Sequence, residues 1–168
     1  TDTITEIDVV TALEGFRRAG NDLLDISFET IAGTGPNGAI MHYRVTEETD
    51  STLEDGQLIV LDSGGQYLDG TTDITRTIPI GTPPLEARQA FPRVLAGMIG
   101  MSRLRWPVGL AGRDIEMIGR LPLWLAGQNF DHGLGHGVGA YLSVHEGPQR
   151  LSKISHVPFE PGMILSNE

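Results

Sequence analysis

Apolar residues recur at Ile7, Val10, Leu13 and Phe16, the three-to-four-residue period of a helix with one buried face. Thr3 followed three positions later by Glu6 offers a capping box at its start, and Gly20 a stop. In "FETIAGTGPNGAIMHYR" the pattern changes to a short run, a glycine-rich turn and a strand over Ala39–Arg44. "DGQLIVLDSGGQYLDGTTDITRTIPIG" predicts neighbouring strands at Leu58–Asp62 and Thr71–Ile80, with a turn at Gly64-Gly65. Helical periodicity returns in "PPLEARQAFPRVLAGMIGMSRL", broken or kinked near Pro92, and in "GRDIEMIGRLPLWLAG", which holds Pro122. After Gly127 the chain reads as glycine-punctuated strands: "HGLGHGVG", "YLSVHEGP" and "MILSNE".

Helix, strands, two helices, strands is an α+β order, with helices on one side of a mostly antiparallel sheet. The 168 residues suit one domain with a continuous core, and 39% hydrophobic against 20% charged residues excludes a disordered tail. A net charge of -10 opposes association with nucleic acid or an anionic membrane. The lone "FRR" at Phe16–Arg18 is too short to form a basic patch. Having no cysteine, the chain has neither a disulfide scaffold nor thiolate chemistry, which leaves the compartment open. No run reaches the roughly 20 apolar residues of a membrane span, and no signal pattern opens the chain, so a soluble, cytoplasmic protein is expected. "MILSNE" stops directly after a strand-like run, as a chain cut inside a fold would.

Two carboxylates interrupt the strand pattern. Asp62 closes "LIVLD" and Asp73 lies in "TTDITRT", where burial is costly without a hydrogen bond, an ion pair or a metal. Asp62 alone could cap the turn at Ser63-Gly64, and Arg76 could neutralise one acid. Taken together, two strand aspartates facing one another favour a divalent cation over a bare repelling pair; a protease-like acid dyad would leave the histidines without a role.

Four of the five histidines, His42, His132, His136 and His145, lie in or beside strands and glycine turns. Singly, each is more often a satisfied surface or core residue; clustered, they suit metal ligation and proton transfer. His132 and His136 are four apart, but the alternating Gly133, Gly135 and Gly137 exclude a helix, and with it an "HExxH" zinc site. On a strand the two would share a face, the glycines leaving room for backbone or ligand, and only one need touch metal. Glu168, after the Pro161-Gly162 turn, is either a solvated terminal residue or a ligand and proton acceptor.

The segments "SFETIAGTGPNGAIMHYR", "VLDSGGQYLDGTTDITRTIPIG", "DHGLGHGVGAYLSVHEGP" and "FEPGMILSNE" together resemble, in order, signature blocks of the Xaa-Pro aminopeptidases of the creatinase and methionine aminopeptidase superfamily, metallopeptidase family M24. The resemblance runs from about Ile4 to the end. It implies the pita-bread fold, a mostly antiparallel curved sheet with helices on its outer side, here incomplete at both ends. Residues 1–168 would then be part of a C-terminal catalytic domain. The resemblance further implies two divalent ions, manganese first and cobalt or zinc as alternatives, with Asp62, Asp73, His136 and Glu168 as ligands and Asp73 bridging. A fifth ligand would lie on a strand beyond Glu168, so these residues alone are expected to hold the second ion weakly.

His42, His132 and His145 match the family's substrate-side histidines, which orient the peptide carbonyl and stabilise the tetrahedral intermediate. A water acidified by the metals would attack the bond before proline while Glu168 shuttles the proton. Tyr43, Tyr67 and Thr75 are weaker supporting candidates. The implied substrates are proline-containing peptides, and the implied parent is a homodimer. Prolidase, restricted to Xaa-Pro dipeptides, is the alternative enzyme, and a non-catalytic peptide-binding domain the alternative class; the filled ligand positions favour an enzyme. One departure stands out: "VLAGMI", Val94 to Ile99, replaces a "VLKGHI"-like segment.

Overall fold

The computed structural model describes residues 3–20 and 22–168. It divides into two compact units, Thr1–Pro84 with Ala140–Val144, and Leu85–Gly139 with His145–Glu168.

The first unit opens with α1 (Glu6–Ala19). Its capping box uses Thr5 and Asp8 rather than Thr3 and Glu6: the Thr5 hydroxyl accepts from Asp8 N at 3.3 Å and the Asp8 carboxylate accepts from Thr5 N at 2.9 Å. Glu6 is engaged elsewhere. Fully buried, its carboxylate accepts from Thr34 N at 2.6 Å, the Tyr43 hydroxyl at 2.9 Å and Ser51 N at 3.3 Å, with Asn37 Nδ2 reaching both oxygens. These donors offset the desolvation of the charge.

After β1 (Asp25–Ile26) and β2 (Ile31–Thr34) the chain turns into a 3₁₀ helix over Gly35–Ala39. The strand expected at Ala39–Arg44 does not form. Pro36 starts the 3₁₀ turn, which folds back on β2 so closely that a Cβ on Gly33 would lie 2.8 Å from the Asn37 carbonyl oxygen. β3 (Leu58–Ser63) runs on through Gly64 into β4 (Gly65–Tyr67), and the reversal falls at Leu68-Asp69, before β5 (Gly70–Thr71). Gly64-Gly65 is therefore a corner and not the expected hairpin turn. A Cβ on Gly64 would meet the Thr72 carbonyl oxygen at 1.9 Å, so only glycine lets the two passing segments touch. Opposite it, the expected Thr71–Ile80 strand breaks at Thr72-Asp73 between β5 and β6 (Ile74–Pro79).

In the second unit α2 (Leu85–Arg103) continues through Pro92, which removes one ladder donor without ending the helix. The second predicted helix is interrupted at Glu116, giving α3 (Gly112–Ile115) and α4 (Met117–Trp124), while Pro122 stays inside α4. Helices α2 and α4 meet backbone to backbone: a Cβ on Gly97 would lie 2.0 Å from the Gly119 carbonyl oxygen. Beneath them Met101, Ile115, Leu134 and Leu151 form a buried apolar cluster. Gly97→Ala is expected to force the helices apart and destabilise the fold by about 3 kcal/mol, lowering the melting temperature by roughly 6–12 °C. Calorimetry checks this; an unchanged melting temperature would show that the crossing has slack.

The expectation of one curved, mostly antiparallel sheet is corrected. Among the described residues the strands form three small, open antiparallel sheets, ordered β1-β4-β5, β2-β3-β6 and β7-β8, where β7 is Gly135–His136 and β8 is Arg150–Leu151. The fold is α+β and pita-bread-like, with antiparallel sheets and outer helices, but no sheet curls far or closes. The physical reason is the corner at Gly64 and Thr72, where the β3/β6 ribbon leaves one sheet and the β4/β5 ribbon enters another. "YLSVHEGP" forms no strand. "MILSNE" forms no strand; it makes the Gly137–Leu165 bridge and, across to the β7 segment, backbone bonds from Ser166 N to His136 O and from Glu168 N to Leu134 O, each 2.8 Å.

Candidate metal centre

In the first unit, register brings Asp62 opposite a residue close to Asp73 in sequence. Asp62 on β3 is paired with Thr75 on β6, and Asp73 precedes Thr75 by two residues. Asp62 and Thr75 are directly opposed across the ladder and share one face, while Asp73 lies in the break between β5 and β6, where strand alternation does not assign its face. Oδ1 of Asp62 is enclosed by protein. Two carboxylates this near one another along the pairing suit a divalent cation. Thr75, directly opposite Asp62, is placed to support it.

His42 occupies the turn after the 3₁₀ helix, with φ at 55°, in the left-handed region that few non-glycine residues adopt. Its neighbour Tyr43 is buried and anchors the turn through Glu6, Asn37 Nδ2 at 2.9 Å and Thr49. Burial pushes the Tyr43 hydroxyl's pKa up, and the Glu6 carboxylate adds to this, partly offset by the Thr49 hydrogen bond. Tyr67 accepts from Arg17 at 3.2 Å, and the same guanidinium reaches the Ser63 hydroxyl at 2.9 Å. Both tyrosines hold structure around the site residues of this unit.

The second unit brings His136, His145 and Glu168 together. Nδ1 of His136 lies 2.9 Å from the Gly137 carbonyl, an acceptor only, so this nitrogen carries the hydrogen and Nε2 faces the other way. There Nε2 stands 2.8 Å from Oε1 of Glu168. An imidazole nitrogen this close to a carboxylate needs a cation, either a second ring proton or a metal ion, so the donor set fits a divalent ion. The His145 ring lies edge-on to His136, their centroids 4.0 Å apart. The His136 hydrogen bond holds the Glu168 carboxyl well below its usual range, at about 2; burial opposes this, while the Ser166 hydrogen bond and the charges of both histidines reinforce it.

Ser166 has a role the sequence did not reveal. Its hydroxyl accepts from His136 N at 2.9 Å and donates to Glu168 Oε1 at 2.6 Å, orienting two candidate ligands at once. A serine two residues before a candidate glutamate carries no distinctive pattern, so only the fold could assign it. Asn167 ties the same segment to α2 through Met98 O at 2.9 Å and Ser102 Oγ at 2.7 Å. The "VLAGMI" departure thus contributes a backbone carbonyl here, whatever side chain stands at Met98.

His132 differs from its expected placement. Strand β7 covers only Gly135–His136, so strand parity does not extend to His132, which is exposed in a bend and lies against Phe130, ring centroids 4.6 Å apart. Its Nδ1 also faces the next carbonyl, Gly133 O, at 2.7 Å, leaving Nε2 on the outer side of the ring.

Residues 1–168 match metallopeptidase family M24. Xaa-Pro aminopeptidase 1 of Dictyostelium discoideum is 46% identical over 167 residues, which are 98% of this chain and 26% of that protein. Aminopeptidase P2 of Arabidopsis thaliana is 45% identical, over 98% of this chain and 24% of its own length. The chain thus spans about a quarter of the length of the curated relatives it matches. Among solved structures, X-prolyl aminopeptidase from Caenorhabditis elegans, described as a cytosolic enzyme with a di-nuclear active site, has a TM-score of 0.88 at 36% identity, covering 96% of this chain and 26% of that one. Prolidase from Pyrococcus furiosus has a TM-score of 0.84 at 29% identity, covering 98% and 47%. Among the described residues no helix is long and apolar enough to cross a membrane.

Proposed function

The chain belongs to metallopeptidase family M24, and from that premise we propose that its parent protein is a metal-dependent aminopeptidase releasing the first residue from peptides with proline in second position. Residues 1–168 are then part of its catalytic domain. The observation that carries the reading is the His136–Glu168 contact of 2.8 Å, an imidazole and a carboxylate directed at one another with Nδ1 of the histidine already engaged. The pairing of Asp62 with Thr75, two residues after Asp73, supports it, as does the similarity to aminopeptidases of that specificity.

Asp62, Asp73, His136 and Glu168 are the proposed ligands of two divalent ions, manganese foremost and cobalt or zinc as alternatives, since carboxylate and imidazole donors accept all three. When bound, the ions supply Lewis acidity to the scissile carbonyl and to water. The chain's own groups do the rest. Glu168 accepts and returns a proton. His42, His132 and His145 orient the peptide carbonyl and the proline residue and donate hydrogen bonds to the developing oxyanion. A cytoplasmic location and a homodimeric parent belong to the same reading, the first supported by the cytosolic Caenorhabditis elegans relative and the second by the family resemblance.

Metal analysis and peptide cleavage by the full-length protein test the proposal. The expected outcome is metal-dependent release of the first residue from an Xaa-Pro-Yaa tripeptide. Cleavage confined to Xaa-Pro dipeptides would establish the prolidase reading instead. A protein that binds the peptide with no metal-dependent cleavage would belong to the non-catalytic class.

A further inference from the structure

Arg120, on α4, is among the few buried charged residues, at 5% exposure. Its Nε donates to Oε2 of Glu116, also buried, at 2.8 Å. The two terminal nitrogens then fork: Nη1 donates to the Phe130 carbonyl at 2.6 Å and Nη2 to the His132 carbonyl at 2.5 Å. The guanidinium also lies over the Phe130 ring, 4.2 Å from its centroid, and that ring in turn packs against the His132 imidazole. One planar cation therefore fixes both the backbone of the 130–132 segment and the platform on which the His132 ring rests.

Core packing alone does not require a charge here. A buried ion pair is usually no more stable than a well-packed apolar replacement, so its retention suits a geometric demand. Lysine could keep the charge beside Glu116, but it lacks the rigid fork that reaches two carbonyls at once. We propose that Arg120, held by Glu116, is a positioning residue that sets the orientation of His132 toward substrate. The inference rests on the substrate-facing role given to His132 above, and it adds a buried support for that role from a different element.

The test compares full-length, metal-loaded Arg120→Lys, His132→Ala and the double variant on an Xaa-Pro-Yaa tripeptide, well below their melting temperatures. The expected result for Arg120→Lys is an unchanged metal content and a kcat lower by about a hundredfold, the scale of an ångström-sized misplacement. KM should change little, and the double variant should be no slower than His132→Ala alone. Phe130→Leu, which keeps the ion pair and both carbonyl contacts, should lower kcat in the same direction and provides the readout if Arg120→Lys does not fold. A merely structural Arg120 predicts a lower melting temperature with kcat unchanged, or losses that multiply in the double variant; either overturns the proposal. An unimpaired His132→Ala would instead defeat the role assigned to His132, so the two failures are distinguishable.

Discussion

His136→Ala in the full-length protein should lose bound metal, whereas His132→Ala should keep its metal and lose turnover. The two histidines lie four residues apart in one glycine-rich stretch, and the structure gives them different surroundings. His136 is partly buried, its tautomer set by Gly137 O and its Nε2 at 2.8 Å from Glu168. Removing it leaves Glu168 without its main partner and takes a donor from the ion. The affinity loss should exceed the roughly 10–100-fold that follows loss of an outer-shell partner. His132 is exposed and rests on Phe130. Its loss should leave metal content intact and lower kcat by about 10²–10³, the scale for one donor to a developing oxyanion. Atomic absorption on dialysed protein, with initial rates on a tripeptide, reads both effects. Equal metal loss in the two variants would overturn this division.

The second large effect concerns Gly135. A Cβ there would lie 2.1 Å from the Ser166 carbonyl oxygen and 3.2 Å from its hydroxyl. Gly135→Ala must push the 165–168 segment away, loosening the bonds from Ser166 N to His136 O and from Glu168 N to Leu134 O. The variant should lose about 3 kcal/mol of stability and most of its bound metal, because Ser166 and Glu168 move together. Gly133→Ala is the internal control, since its nearest atom would be Leu151 O at 3.2 Å, a contact that a small shift relieves. Thermal denaturation and metal analysis on the pair decide the matter. A Gly135→Ala protein with parental melting temperature and metal content would mean the 165–168 segment adapts freely.

Much of the site was legible because its chemistry conflicts with its setting. Asp62 and Asp73 stood out as carboxylates in a β-branched, apolar run; the register pairs Asp62 with Thr75, two residues after Asp73. The histidines stood out by clustering, and Glu168 by its place in a block resembling the family's. Ser166 and Arg120 were not legible, since a serine in an extended segment and an arginine in a helix are ordinary until their partners, 30 and 12 residues away, are known. The strand over Ala39–Arg44 failed because β-favouring residues at Ile40 and Tyr43 were outweighed by the 3₁₀ turn over Gly35–Ala39, with Pro36 in its first turn, and by Tyr43 being drawn into the Glu6 network. The curved sheet implied by the resemblance failed because the β3/β6 and β4/β5 ribbons part at the Gly64 and Thr72 corner.

By itself, then, the sequence determined the α+β order of elements, the helices α1 and α2, the β3–β6 pairing, the family, and the residue types from which a metal centre could be made. The family follows from the resemblance of four ordered blocks, the rest from hydrophobic period and from the cost of placing charge in a strand, both local properties. Tertiary structure alone decided the corner at Gly64 and Thr72, the Thr5–Asp8 cap left by the withdrawal of Glu6, the burial of Arg120 beneath His132, and the meaning of the glycines around His136. A glycine is silent in sequence: it marks only that a side chain is absent. At Gly135 and Gly137, neighbouring backbone oxygens of Ser166 and Glu146 occupy that space, at 2.1 and 2.0 Å from where a Cβ would stand. Those neighbours come from elsewhere in the chain, and only folding brings them there.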